Sequence, residues 1–204
     1  MDSIYQWVIN SWVENLAVLT GIIYIFLSVK QRVSCWFFGI ASSILYFFVF
    51  FQSQIYADML LQVYYVLVGI YGWIHWAGVD ASKSMISLPI TRVSKRNRLY
   101  LLLITCFMMV GIAQFLIYFT DSPVPWLDAL TTSLSITATW MLARKVLEHW
   151  IIWVIVDLIY IGLFYYRGLF PSILLFLVYT ALAVVGYFEW IKQWKKDQHS
   201  PAIL

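Results

Sequence analysis

Residues 99–118 run without a single charged side chain. At a rise of 1.5 Å per residue, a helix of about 20 residues crosses the roughly 30 Å hydrocarbon core of a bilayer. Similar runs recur along the chain and place seven spans at 13–29, 34–52, 57–77, 99–118, 126–143, 149–166 and 171–191. Inside lipid the backbone has no water to bond, so only helices or closed barrels survive there. The runs lack the period-two alternation of a barrel strand, which leaves helices. Composition agrees: 63% of the 204 residues are hydrophobic and 11% are charged, against roughly a quarter charged in a soluble domain. The first span carries Glu14 at its rim. The fifth is threaded with Thr131, Thr132, Ser133, Ser135, Thr137 and Thr139, hydroxyls that bond to helix carbonyls or to neighbouring helices. Pro123, Pro125 and Pro171 stand at span entrances, where a missing N–H costs nothing.

The charges set the orientation. With Lys83, Arg92, Lys95, Arg96 and Arg98 on the cytoplasmic side, alternation puts Lys30, Arg32, Arg144, Lys145, Lys192, Lys195 and Lys196 there too. Only Arg167 of the 13 basic residues falls outside. The positive-inside rule then predicts an odd number of spans, an outer N-terminus and a cytoplasmic C-terminus. Met1–Asn10 has no Lys or Arg, so no cleavable leader is expected. Ile4, Trp7, Val8 and Trp12 recur at helical spacing and predict a short amphipathic helix over 1–12, lying in the interface.

Sliding the chain by 114 residues without a gap lays Trp36 on Trp150, Tyr46 on Tyr160, Tyr65 on Tyr179, Gly72 on Gly186 and Trp76 on Trp190. Identities at such rare residue types in one register point to a duplication. The expected organisation is a three-helix repeat over 13–77, a basic cytoplasmic loop over 78–98, a linker helix over 99–118, a second repeat over 126–191 and a tail over 192–204. One linking span inserts the second repeat the same way up as the first. In parallel-repeat transporters of that kind, substrate sites lie near the midplane at the repeat interface. The linker has no counterpart and is expected on the outside.

The sixth span carries the chemistry. Trp150, Trp153, Asp157 and Tyr160 are spaced i, i+3, i+7 and i+10 on one helical stripe. Asp157 is the one acidic residue well inside a span, and a carboxylate at that depth costs about 3 kcal/mol or more unless a cavity or a partner receives it. Two indoles, a phenol and a carboxylate suit a cationic or hydrogen-bonding aromatic heterocycle. For any single tryptophan the competing reading is a lipid-facing aromatic belt, which suits Trp150 near the boundary better than the deeper Trp153. The same stripe of the second span reads Trp36, Gly39, Ser43 and Tyr46. The outer aromatics are kept, so they support architecture or gate. The inner pair differs, with Gly39 and Ser43 supplying room opposite the ring and charge of Trp153 and Asp157. Gln62, Tyr65, Thr137, Trp140 and Tyr179 are further candidates to face the substrate. Asp58 and Asp128 sit near the outer rim, and Gly72 and Gly186 are expected to permit close helix packing.

Other classes fit poorly. His75, His149 and His199 form no ligand cluster, and Cys35 and Cys106 lie in apolar stretches, so neither metal nor cofactor is expected. No lysine lies deep in a span to hold retinal. No G-x-S-x-G or H-E-x-x-H motif and no paired intramembrane acids argue for an enzyme. The basic residues are explained by the bilayer and need no nucleic-acid partner.

The pattern Trp150-x-x-Trp153-x-x-x-Asp157, preceded by Arg144 and Glu148, resembles the signature of the Pnu vitamin transporters. So does the run Gln54-Ile55-Tyr56-Ala57-Asp58-Met59-Leu60-Leu61-Gln62-Val63-Tyr64, followed by Tyr71-Gly72-Trp73-Ile74-His75-Trp76. The resemblance covers residues 14–194. It implies an all-α membrane protein with a three-plus-one-plus-three architecture akin to the SWEET sugar transporters. It also implies facilitated diffusion of a water-soluble B-vitamin precursor across a bacterial inner membrane, with a cytoplasmic vitamin kinase trapping the cargo by phosphorylation. A homo-oligomer is compatible with it. Nicotinamide riboside is the first expectation for the substrate. The riboside pattern of the family has Asn where this chain has Asp157, and Asn at or beside Ser43, so thiamine stands as the alternative. Both are cationic aromatics; the neutral flavin of other relatives fits a carboxylate less well. A proton-coupled symporter using Asp157 is the mechanistic rival to uniport.

Overall fold

The computed structural model describes residues 12–52, 56–82, 88–166 and 170–199. Their seven helices are α1 (Trp12–Val29), α2 (Cys35–Gln52), α3 (Tyr56–Ser82), α4 (Lys95–Phe119), α5 (Pro125–Ala143), α6 (His149–Tyr166) and α7 (Phe170–His199). All but α5 are long and apolar enough to cross a membrane. α5 has the length, at 19 residues, but its hydroxyls reduce its hydropathy. Those hydroxyls are turned inward on their own helix: Thr131 bonds Leu127 O, Thr137 bonds Ser133 O and Thr139 bonds Ser135 O. α5 also has ten buried residues, against three in α4, so neighbouring protein rather than lipid surrounds much of it. The amphipathic helix expected over 1–12 lies outside the described residues apart from Trp12, which opens α1.

Two helices outrun the bilayer. α3 has 27 residues and α7 has 30, or about 40 and 45 Å of helix against a core of about 30 Å. The loop expected over 78–98 is therefore shorter, because α3 continues to Ser82 and α4 begins at Lys95. Ser94 caps α4 by accepting the Asn97 N–H at 3.2 Å. The tail expected from 192 is helical through His199, with Gln193 donating to Asp197 at 2.8 Å one turn on.

The chain divides into two compact units, Met1–Ser87 and Leu88–Leu204. In the first, α2 packs against both α1 and α3. Ser42 Oγ of α2 donates to Ala17 O of α1 at 2.9 Å. Trp36 is 1% exposed, and its indole lies flat against the backbone of Gly72, where any Cβ would overlap the ring. Trp76 meets it edge-on, with centroids 5.4 Å apart. The α1–α2 turn needs a left-handed residue, Gln31 at φ 54°, and closes through Gln31 N to Ser28 O and Arg32 N to Leu27 O, both 3.0 Å.

In the second unit α6 packs against α5 and α7, and α4 packs on α5. The same pieces recur 114 positions later. Lys145 takes φ 50°, with Lys145 N to Leu142 O and Val146 N to Met141 O both at 2.9 Å. Trp150 lies on Gly186, where an added Cβ would sit 2.7 Å from the ring, and it meets Trp190 edge-on at 5.7 Å. These glycines are packing residues. A rigid ring against backbone leaves no room for a methyl group, and the ring cannot rotate away without emptying the core.

Gly186→Ala is therefore expected to destabilise the protein by about 1–3 kcal/mol, read as a lowered melting temperature in detergent. Adding Trp150→Phe, which shortens the ring, should recover part of the loss.

Candidate functional site

α6 brings the proposed stripe into the second unit, and the structure divides it by role. Trp150 is 3% exposed and filled in by Gly186, Trp190 and the His149 ring, 4.4 Å away. It is a core residue, not a member of a lipid-facing belt. His149 is held by its Nδ1, 2.7 Å from Val146 O. At the other end Tyr160 joins an aromatic cluster with Phe164 at 5.8 Å and Phe176 of α7 at 5.0 Å, and Tyr179 reaches Phe176 at 5.7 Å. Between these packed ends lie Trp153, partly exposed, and Asp157, 4% exposed. Asp157 is the one buried carboxylate among the described residues, and none of them offers it a hydrogen bond or a cation. A carboxylate held away from water without a partner is a costly arrangement that folding alone does not require.

Thr137 and Trp140 of α5 have other occupations. The Thr137 hydroxyl is 2.8 Å from that of Thr105, a buried pair that ties α5 to α4. Trp140 is 41% exposed and carries the Arg144 guanidinium 5.2 Å over its ring. Asp128 accepts from Ser122 Oγ at 2.5 Å and serves the loop before α5.

In the first unit the corresponding face presents Ser43 and Gln62, both buried polar side chains. Gln62 lines a shallow groove with Ile44, Phe47, Phe48, Val63 and Val66, otherwise apolar. Tyr46 stacks on Phe50 at 5.7 Å and 18°, matching the stack of Tyr160 on Phe164 at 17°. Tyr65 leans on Tyr64 at 5.8 Å, and Trp36 is consumed in packing.

Gly39 does not supply the room expected of it. A Cβ there would sit 2.9 Å from Cδ2 of Tyr24, whose ring already fills the space and touches Trp36 with centroids 6.2 Å apart. Tyr24 corresponds to Ala138 at the 114-residue shift, so the pair Tyr24/Gly39 becomes Ala138/Trp153 in the second unit. Both units thus place one large ring at this level, on α1 in the first and on α6 in the second. Tyr24 is the site neighbour that reading the stripe alone misses. The signal was present, but only in two helices considered together.

Among the described residues no group of His, Cys, Asp and Glu gathers as metal ligands would. The arrangement presents a partly exposed indole next to a buried carboxyl group on an apolar helix, a pairing that suits a flat, positively charged ring.

Comparison with known proteins shows the family and the fold. The nicotinamide riboside transporter PnuC of Escherichia coli K12 is 26% identical across 89% of this chain and 85% of its own length. Its counterpart from Neisseria mucosa is 26% identical across 92% of this chain and 74% of its own. A riboflavin/roseoflavin transporter, RibM, of Streptomyces davaonensis is 24% identical across 91% and 87%. The crystal structure of the vitamin B3 transporter PnuC superposes with a TM-score of 0.77 over 98% of this chain and 88% of that one, at 24% identity, which establishes the likeness of fold. These relatives are transporters, not enzymes, and the family model for nicotinamide mononucleotide transporters matches residues 11–192. From α1 to α7 the chain belongs to the nicotinamide mononucleotide transporter family of multi-pass membrane proteins.

Proposed function

We propose that this chain is a uniporter of the bacterial inner membrane for a water-soluble B-vitamin precursor carrying a positively charged aromatic ring. Nicotinamide riboside is its first substrate. The observation that carries the reading is Asp157: a buried carboxylate without a partner among the described residues, on a membrane-crossing helix, one turn from the partly exposed Trp153. Such a group balances a bound cation, and an indole face adds attraction that grows as water is excluded. Trp153 and Asp157 are the recognising residues; within the first unit, Ser43 and Gln62 are the buried polar side chains. Trp36, Tyr46 and Tyr65 are packing residues of the first unit, and Trp150, Tyr160 and Tyr179 are packing residues of the second.

The architecture we propose is two parallel three-helix repeats, α1–α3 and α5–α7, around the linker α4, as in the SWEET transporters. The recurring turns at Gln31 and Lys145 and the paired tryptophan–glycine contacts support it. The basic loops put the N-terminus outside and the C-terminus in the cytoplasm. A cytoplasmic kinase that phosphorylates the vitamin prevents its return, so net uptake needs no ion gradient.

Thiamine is the second reading. The carboxylate stands where riboside carriers of the family have an amide, and the family also includes a carrier named for a different vitamin, RibM. A full charge favours a cation over a neutral hydrogen-bonding edge, and both thiamine and the riboside are cations. Titration of the purified protein against nicotinamide riboside, thiamine and riboflavin separates the readings. Trp153→Ala should weaken the preferred ligand by about tenfold or more, from the loss of about 2 kcal/mol of cation–π attraction. Asp157→Asn should weaken thiamine more than the riboside. It should leave the melting temperature unchanged or higher, because none of the described residues bonds to the carboxylate. Unaltered affinity in both variants would remove the proposed site.

Proteoliposomes test coupling. Exchange of labelled substrate should proceed without a gradient and persist with a protonophore. Uptake that collapses on adding the protonophore would replace the uniporter with a symporter working through Asp157.

A further inference from the structure

The segment leading into α4 is docked in the second unit. Thr91 forms a parallel β-bridge with Val146 in the α5–α6 turn: Thr91 N donates to Lys145 O and Leu147 N to Thr91 O, both at 2.9 Å. Glu148 clamps the next two residues. Its Oε1 accepts Arg92 Nε and its Oε2 the Val93 N–H, each at 3.1 Å. The Arg92 guanidinium also lies 5.3 Å over the Trp194 ring of α7, and Ile90 is buried beneath the bridge. The Glu148 carboxylate thus holds the segment before α4 on the α5–α6 turn, and Arg92 extends the contact to α7.

Glu148 is also where α6 begins, since its carbonyl accepts the N–H groups of Ile151 at 3.1 Å and Ile152 at 3.4 Å. At the same register of the first unit stands Ser34, an exposed hydroxyl, too short to make such a clamp. Leu147 is buried, whereas Val33 at its register position is partly exposed. The docked segment is therefore a feature of one unit added to a turn that both share.

Resting on the reading of α6 as the substrate helix, we propose that Glu148 is a positioning residue for Trp153 and Asp157. By locking Thr91–Val93 onto the α5–α6 turn, it sets the height and rotation of α6 and keeps α4–α7 one body throughout the transport cycle. A helix start fixed by two charge-assisted bonds and a bridge leaves the stripe one turn further on little freedom to drift. The side-chain exposures, 44% for Arg92 and 16% for Glu148, put the weight on the shielded bond to Val93 N more than on the ion pair.

The test uses the full-length protein with Cys106→Ala as background and adds Thr91→Cys with Val146→Cys, whose bridged positions lie within disulfide reach. Glu148→Ala should raise the dissociation constant for nicotinamide riboside or thiamine by about tenfold. It should also speed hydrogen exchange at the amides of Thr91, Val93 and Leu147. Oxidising the cysteine pair in that variant should restore affinity and slow the Thr91 and Leu147 amides again, and a reductant should reverse both. Glu148→Gln, which keeps an acceptor oxygen, should fall between. With Glu148 intact, the disulfide should leave uptake unchanged. A disulfide that blocks uptake would mean the segment must leave the turn during transport, and the proposal would fail. It would fail equally if Glu148→Ala left affinity and exchange untouched, or if cross-linking restored neither. Should Trp153→Ala and Asp157→Asn also leave affinity unchanged, the substrate reading fails instead, and the exchange measurements, which need no substrate, still decide the clamp.

Discussion

A polar group inside a bilayer has no water to fall back on, and nearly every feature of this chain follows from that condition. The backbone resolves it by coiling into helices. The side chains of α5 resolve it residue by residue, with Thr131, Thr137 and Thr139 each bonding a carbonyl one turn back. Where helices meet, spare hydroxyls become ties, as in Ser42 to Ala17 and Thr105 to Thr137. The exceptions then become informative. Among the described residues the indole N–H groups of Trp36 and Trp150 and Nε2 of His149 are buried without partners. Close ring-on-backbone packing offsets their cost. Asp157 has no ring to pack in this way, and that contrast is what motivates its proposed role in recognition.

The tryptophan–glycine contacts explain why the helices can approach so closely without a hydrophobic effect to drive them. In lipid, association depends on close packing and interhelical bonds. A flat indole against a bare glycine backbone maximises contact, and the edge-on second tryptophan closes the layer in the favoured geometry. Both units use this device at the same register, together with the same left-handed turn. That agreement in bond pattern is a more demanding match than residue identity. The turns at Gln31 and Lys145 differ in sequence yet close through corresponding carbonyls.

Where the units diverge, they do so in three distinct ways. Tyr24/Gly39 against Ala138/Trp153 exchanges which helix carries the ring while keeping one ring per unit. Ser43 against Asp157 changes chemistry without compensation, a hydroxyl in one unit and a carboxyl group in the other. The clamp at Glu148 is a third difference, and it lies at the start of the same helix. All three departures therefore involve α6 or its start, and α6 also has neighbours on both sides in α5 and α7.

Read alone, the sequence determined the helical spans, the basic asymmetry of the loops and the family, because each depends on local composition or on spacing along one element. Hydrophobic length is a property of consecutive residues, and a stripe of Trp150, Trp153, Asp157 and Tyr160 follows from helical period. Only the tertiary structure decided which members of the stripe are packed away. Trp150 and Tyr160 are spent on packing because Gly186 and Phe176 lie across from them, and Gly39 is filled because Tyr24 reaches over from another helix. The docking of Thr91–Val93 was equally illegible, since Glu148 and Arg92 lie 56 residues apart in the chain and no periodicity connects them. Contacts between distant segments are set by how helices pack, and a one-dimensional pattern records only which side chains are available for them.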